Sequence, residues 1–191
     1  MQVLIELFSR YQYPEKSIHD KLLPIVRILH PGDKLQLLRE GQEQKDLYIM
    51  REGMGRMYYI DENGEKITAS FSQPGELLAQ LDSFFLQRPA VANLEVYSEG
   101  SFYLIEFTHF KALFMNDPLF AWTFLRMVGV EFMNLLMQKL HTKPAEKRLL
   151  KLMEHHINLF LFASAKDVAK FLGIHEKTIE RIRNQFLKNL K

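Results

Sequence analysis

Hydrophobic and polar positions follow three different rhythms along the 191-residue chain. Residues 2–10 and 15–24 carry apolar side chains at helical spacing. From Ile28 to Phe107 turn pairs then interrupt the chain, at Pro31-Gly32, Glu40-Gly41, Glu52-Gly53, Asn63-Gly64, Pro74-Gly75 and Glu99-Gly100. Between them lie short β-rich runs at Leu35–Leu38, Leu47–Arg51, Gly55–Ile60, Ile67–Ser72, Leu94–Tyr97 and Phe102–Phe107. Strands separated by turns about every 8–12 residues predict a sandwich, barrel or roll. Asn63-Gly64 predicts a hairpin turn, because both residues tolerate positive φ. Beyond Phe107 the period lengthens to that of helices and stays there.

The first helical stretch after the strands ends near Asn116, and Asp117-Pro118 opens a longer one, since proline suits a first helical turn. It runs from Leu119 to about Leu140, ahead of Lys143-Pro144. Leu125, Val128, Phe132 and Leu135 form one apolar row, and Met133, Leu136 and Leu140 a second. Trp122, Phe124, Met127, Val130 and Met137 fill more of the circumference. A helix apolar on several sides is buried on several sides. One row is expected to cover the strands, which leaves the other for the same helix of a second copy, with Leu125, Val128, Phe132 and Leu135 as the expected dimer positions.

Pro144 begins another helix, with Ala145, Leu149, Leu152, Met153 and His156 toward a core, and the apolar run 159–162 follows. Ser164 with Asp167 three positions on marks a further helix start, as a capping box with Asp in place of Glu. That helix stops at Gly173. A last helix opens near His175 or Glu176 and carries Ile179, Ile182 and Phe186 on one face. Two short helices cross steeply only where a small residue sits at their contact and the turn permits unusual φ. Ala169 and Gly173 meet those needs, and Ile179 plugs the space between, with Val168, Leu172, Ile174 and Ile182. The spacing predicts a helix-turn-helix. Its outward face carries His175, Glu176, Lys177, Thr178, Glu180, Arg181, Arg183 and Asn184. A helix in a major groove reads bases from its N-terminal half, so Glu176, Lys177, Glu180 and Arg181 are the candidate readers. Thr178 and Lys166 are expected on phosphate, which supplies affinity but not sequence.

Charge sharpens this reading. The formal net charge is only +2. Yet positions 143–191 carry a net +6 and the preceding 142 a net −4. A basic end on an acidic body suits a protein that presents that end to a polyanion. The chain has no Cys, which removes disulfides, thiolate metal sites and thiol nucleophiles. The seven histidines fall at 19, 30, 109, 141, 155, 156 and 175. Neighbours on a helix point about 100° apart, so His155 and His156 are not expected to share a metal, and no metal site is expected. No nucleophile–base set, carboxylate pair or phosphate loop emerges, and no enzyme activity is expected. No leader is expected from the N-terminal MQVLIELFSR, and no apolar run approaching the ~20 residues of a membrane span. The expected place is the cytoplasm, without a membrane partner.

From Pro31-Gly32-Asp33, through REGQEQKDLYIMREGMGRMYYIDENGEKI, to PGELL, the chain resembles the cyclic-nucleotide-binding β-roll. Paired glycines flank a Leu-Tyr-Ile strand, and Pro-Gly-Glu leads into a short helix. The resemblance covers roughly residues 25–110. It implies an effector pocket near Gly75 and Glu76, in which a Gly-Glu pair and, ten residues on, an Arg and a Ser or Thr hold ribose and cyclic phosphate. Laid on this chain without gaps, those anchors fall on Ala79-Gln80 and Ala90-Val91, with Arg88 two residues early. An anion beside Ala90 and Val91 would lack its partner charge. Cofactors are therefore not expected: neither cAMP nor cGMP in the family's manner, although another small effector remains open.

With the dimer-type helix and the helix-turn-helix, nearly the whole chain resembles the CRP/FNR family of bacterial transcription regulators, with Thr178 and Arg181 at matching positions. Glu176, Lys177 and Glu180 depart from that pattern, so a different operator is implied. The family's β-hairpin wing has no counterpart before Lys191. The expected fold is α+β: a double-stranded β-helix in 1–116, a dimerisation helix in 117–142, and an all-α helix-turn-helix domain without a complete wing in 143–191. The implied partners are double-stranded DNA with a pseudo-palindromic operator, a second copy of the chain, and RNA polymerase. The alternative is a ligand-sensing or protein-interaction module whose helix-turn-helix no longer reads DNA.

Overall fold

A computed structural model describes residues 1–139, 144–156 and 158–189, apart from the side chains at 138, 139, 145 and 185–189. Eight strands follow one another from β1 (Val26–Leu29) through β2 (Leu35–Leu38), β3 (Asp46–Glu52), β4 (Gly55–Ile60), β5 (Lys66–Ser72), β6 (Leu77–Leu78) and β7 (Asn93–Val96) to β8 (Ser101–Glu106). They form two antiparallel sheets of four, in the orders β1-β8-β3-β6 and β2-β7-β4-β5. The expected double-stranded β-helix is the observed fold. Leu38, Met50, Leu78, Leu94, Val96, Phe102 and Leu104 fill the space between the sheets. Gly53 shows why a turn glycine is needed there: at φ +74°, a Cβ would stand 2.7 Å from the Gly100 backbone.

The sequence expectation differs in local detail. The hairpin expected at Asn63-Gly64 joins β4 to the antiparallel β5, but through a loop over 61–65 in which only Gly64 takes positive φ. Asp61 organises that loop, since its Oδ1 accepts from the Asn63 and Glu65 N–H groups at 2.9 and 2.8 Å. Pro74-Gly75-Glu76 leads first into β6, and the short helix α3 (Leu81–Leu86) comes later. The helix expected over 15–24 breaks into a single α turn, a wide turn over 18–22 and a tight one over 23–25, where Pro24 cannot donate to an α ladder.

Helices α1 (Gln2–Arg10) and α2 (Glu15–Ser17) precede the strands, and α4 (Phe107–Asn116) and α5 (Pro118–Lys139) follow them. An aromatic cluster joins these parts. Phe8 stacks on Phe120 at 5.7 Å, Tyr13 meets Phe120 edge-on, and Phe110 lies between Phe84 and Phe124. Asp117 fixes the start of α5: its Oδ1 accepts from the Leu119 and Phe120 N–H groups, while Oδ2 takes Tyr13 Oη at 2.8 Å and Lys21 Nζ at 2.7 Å.

The rows on α5 sort differently from the expectation. Phe120, Phe124 and Met127 are its fully buried apolar positions, with Thr123 buried beside them. Of the expected dimer row, Leu125 and Phe132 are exposed, while Val128 and Leu135 turn partly inward. Trp122 and Met133 share the open side, with Trp122 61% exposed. Leu140, of the second row, lies outside the described residues. The span Pro118–Met137 has a mean hydropathy of 1.3, so by length and composition it is apolar enough to cross a bilayer. That corrects the reading that no such run exists. Arg126 within it reaches the Tyr11 carbonyl at 3.3 Å, and its buried row packs on the β-roll, as a core helix does.

The remaining elements are α6 (Ala145–His155), α7 (Leu159–Phe162), α8 (Ala165–Leu172) and α9 (Glu176–Asn189). They enclose a second core of Leu149, Leu152, Leu159, Val168, Ala169, Leu172, Ile179 and Ile182, continuous with Met54, Phe71 and Tyr97 of the β-roll. The side chains of Ala145 and Phe186 lie outside the described ones.

Candidate nucleic-acid interface and sensor cavity

Ser164 caps α8 by accepting from the Asp167 N–H at 3.1 Å. The Asp167 carboxylate does more than close a capping box, for it pairs with Arg56 of β4. Gly173 ends α8 at φ 62°, ψ 43°, the left-handed conformation in which glycine is not strained. Arg148 of α6 donates to the free Leu172 carbonyl at 2.6 Å. Ala169 is buried at the crossing of α8 and α9, and Ile179 is 0% exposed between them.

On α9 the side chains of His175, Glu176, Lys177, Glu180, Arg181 and Asn184 face solvent, with Thr178 and Arg183 partly covered. His175 acts at the helix start, where its Nδ1 accepts from the Lys177 N–H at 3.3 Å. Arg183 lies over the Phe160 ring, 5.4 Å from its centre. Lys166 is exposed on α8, and its Nζ stands 3.4 Å from Glu65 of the β4–β5 loop, which also pairs with Lys170. These two lysines hold Glu65 below the usual carboxylate range through their hydrogen bonds.

The positions aligned with the cyclic-nucleotide anchors are engaged with the protein itself. Gln80 is buried; its N–H donates to Gln44 Oε1 at 2.7 Å, and its own Oε1 accepts from the Ala92 N–H at 3.0 Å. Arg88 lies at the surface, paired with Asp82 at 2.8 Å. Ala90 is buried, with its N–H and carbonyl bonded to Gln42 and Gly41, and Val91 is exposed. Ala79 lines a cavity elsewhere. Gly75, at φ +84°, turns the chain so that Glu76 faces that same cavity.

The cavity holds about 260 Å³ and lies where the β-roll, α5 and the end of α6 meet, among Ser70, Ser72, Glu76, Glu131, His155 and His156. Burial pushes the Glu131 carboxyl up to about 8, reinforced by the nearby negative charge of Glu76. The hydrogen bond to Glu76 raises His155 above its usual value, although burial opposes it. Burial drives His156 the other way, down to about 4, so its ring is neutral at physiological pH. The expectation that adjacent histidines point apart fails here. His156 has left the helix, at φ −117°, ψ 78°, and both rings come to Glu76.

A buried set in the second sheet carries no motif that sequence reading could find. Arg56 Nε donates to Glu95 Oε1 at 2.6 Å, and Lys34 and Lys66 reach the same carboxylate at 2.7 and 3.6 Å. Through Asp167 this set extends to α8.

Comparison with known proteins agrees with the geometry. Residues 25–117 match the cyclic nucleotide-binding domain family. An anaerobic regulatory protein of Aggregatibacter actinomycetemcomitans is 26% identical over 186 residues, covering 88% of this chain and 70% of its own. Among solved structures, a regulatory protein of Silicibacter pomeroyi superposes with a TM-score of 0.71 at 14% identity, over 98% of this chain and 89% of its own. FixK2 of Bradyrhizobium japonicum does so at 0.66 and 17%, over 86% of each chain. Fold and matches define the class, a cyclic-nucleotide-binding-type β-roll followed by a long helix and a helical C-terminal unit. Within that class the matches agree with the resemblance to the CRP/FNR transcription regulators.

Proposed function

We propose that the protein is a homodimeric, sequence-specific DNA-binding regulator acting in the cytoplasm. In this reading residues 1–116 sense, 117–142 dimerise and 143–191 bind DNA, with RNA polymerase a further partner. The observation that carries it is the Ala169–Gly173–Ile179 frame, with polar and basic side chains on the outer face of α9. Glu176, Lys177, Glu180 and Arg181 contact base edges, and Lys166 and Thr178 contact phosphate. His175 and Asn184 flank them. The exposed apolar side of α5 supports pairing with a second copy, which sets two recognition helices one DNA turn, about 34 Å, apart. The β-roll responds to something other than cAMP or cGMP, since Gln80 and Arg88 are already bonded within the protein.

Selection of the full chain against random duplexes at roughly physiological salt tests this. Enrichment of a pseudo-palindrome is the expected result. Recovery of unselected sequence overturns it in favour of a module that senses or binds proteins without reading DNA.

A further inference from the structure

Where α6 ends against the β5–β6 turn, three metal-ligating side chains from distant parts of the chain converge. His155 Nε2 lies 3.1 Å from Glu76 Oε1, and His156 Nδ1 lies 4.0 Å from Glu76 Oε2. One donor atom from each of the three residues lies within 4.8 Å of the others. Around a tetrahedral ion with metal–ligand bonds of about 2.0–2.2 Å, donor atoms stand roughly 3.3–3.5 Å apart. The observed separations bracket that span, so small rotations of the Glu76 and His155 side chains close the set.

The second observation is at His156. Its side chain is almost fully buried, and Nδ1 has no hydrogen-bond partner among the described residues. A buried ring nitrogen aimed at a carboxylate, yet too far to bond it, has lost water without replacement. An ion between the two supplies what is missing. The His155 ring meets that of His156 edge-on at 4.7 Å, with a nitrogen of each within 4.8 Å of the other and of the Glu76 carboxylate. The Gln73 side chain donates to the His155 carbonyl at 2.6 Å and fixes the backbone there. Across the cavity, Glu131 of α5 accepts from the Leu77 N–H at 3.4 Å and lines the same cavity.

We propose that Glu76, His155 and His156 form a binding site for a first-row divalent transition-metal ion of the Zn²⁺ class, with Glu131 as a further oxygen donor. Two imidazoles and a carboxylate suit Zn²⁺, Co²⁺, Ni²⁺ or Fe²⁺, whereas Mg²⁺ and Ca²⁺ require oxygen throughout. Glu76 belongs to the β-roll, whereas His155 closes α6 and His156 follows it. The ion therefore ties these parts together, and under the DNA-binding reading it sets the position of α9. That consequence rests on the proposed function; the site itself does not.

The test is titration of the full, tag-free, chelator-treated chain with Co²⁺, followed by its visible absorption, and then competition with Zn²⁺ by calorimetry. One ion per chain is expected, with an absorption spectrum of low coordination number and complete displacement by Zn²⁺. His155→Ala, at a half-exposed position, and Glu76→Gln are expected to fold, and each should weaken binding about 10–100-fold. His156→Ala adds a buried-ligand variant whose folding is checked by circular dichroism. No saturable binding, equal affinity in His155→Ala and Glu76→Gln, or displacement by millimolar Mg²⁺ each overturns the site. DNA binding is measured with and without Zn²⁺ as a separate arm. Its absence in both, with Co²⁺ still bound, overturns the regulator reading and leaves the metal site intact.

Discussion

Arg56, buried on β4, donates through Nη1 to Asp167 on α8, and the two are 111 positions apart in sequence. One guanidinium thus holds Glu95 within its own sheet and the first helix of the helix-turn-helix outside it. Removing the carboxylate leaves a buried cation without that partner. Asp167→Ala should therefore lose about 1.5–3 kcal/mol, the range for hydrogen bonds to charged groups. Urea unfolding should register the loss. Hydrogen exchange should rise in α8 and β5 while α1 keeps its protection. Unchanged exchange in α8 would mean that the apolar contacts of Phe71 and Phe171 hold the two together unaided.

The same carboxylate gives the fold an acid limit. Burial works to raise Asp167, but the Arg56 charge and the Ser164 hydrogen bonds outweigh it and leave its pKa below the ordinary 3.8. Asp117 behaves alike: burial raises it, and Lys21, the Phe120 N–H and Tyr13 bring it below that value. A depressed folded value stabilises the native state fully above the unfolded value. The contribution is lost as pH falls through the folded one. The share of the urea midpoint that Asp167 and Asp117 supply should hold from neutral pH to about 4 and then be lost. Asp117→Asn should start lower and fall less steeply over that acid range.

Much of the β-roll could be read from the sequence, because glycine-containing turns separate its short strands. The helix-turn-helix was equally legible, since Ala169, Gly173 and Ile179 lie within one short segment. What escaped was long-range. Nothing near Arg56 signals Asp167, and nothing near Glu76 signals His155 or His156. The adjacency of those histidines even argued against convergence, because helical geometry was assumed one residue beyond the helix end. On α5 the pattern failed for another reason. Apolar residues occupy all sides of that helix, so periodicity alone cannot choose which row faces the β-roll, and Phe120, Phe124 and Met127 were not singled out.

Ile179 provides a measure of the helix-turn-helix core. It is 0% exposed and packs between α8 and α9. Ile179→Ala should cost about 2–5 kcal/mol through lost burial and the cavity left behind. Gly173→Ala acts by a different route: a Cβ there meets nothing within 4 Å, so only the backbone strain at φ +62° counts. Its cost should be about 1 kcal/mol, and Gly173→Asn should cost less, because Asn tolerates that conformation. Thermal denaturation of the three variants should give that order.

The open side of α5 makes a prediction about assembly. Leu125 and Phe132 are 53% and 61% exposed, one two-turn step apart on a helix whose opposite side is buried in the β-roll. Exposed apolar residues repeating at that spacing form a seam for a second helix. The native chain should sediment as a dimer, and a Leu125→Asp/Phe132→Asp chain as a monomer with an unchanged circular-dichroism spectrum. A dimer that survives both charges would place the interface elsewhere.

DNA recognition separates charge from sequence reading. Lys166 is paired with Glu65 in this structure, so on DNA it must exchange a carboxylate for a phosphate. Lys166→Ala should weaken binding to all duplexes similarly and reduce the slope of log affinity against log salt by about one. Arg181, exposed in the second turn of α9, carries the guanidinium that a bidentate contact with guanine uses. Arg181→Ala should cost about 1–3 kcal/mol on the selected site and relax preference at one base position per half-site. Fluorescence anisotropy with the selected duplex and single-position variants distinguishes the two effects. If Arg181→Ala instead weakened every duplex equally, Arg181 would be a phosphate contact, and base reading would pass to Glu176, Lys177 and Glu180.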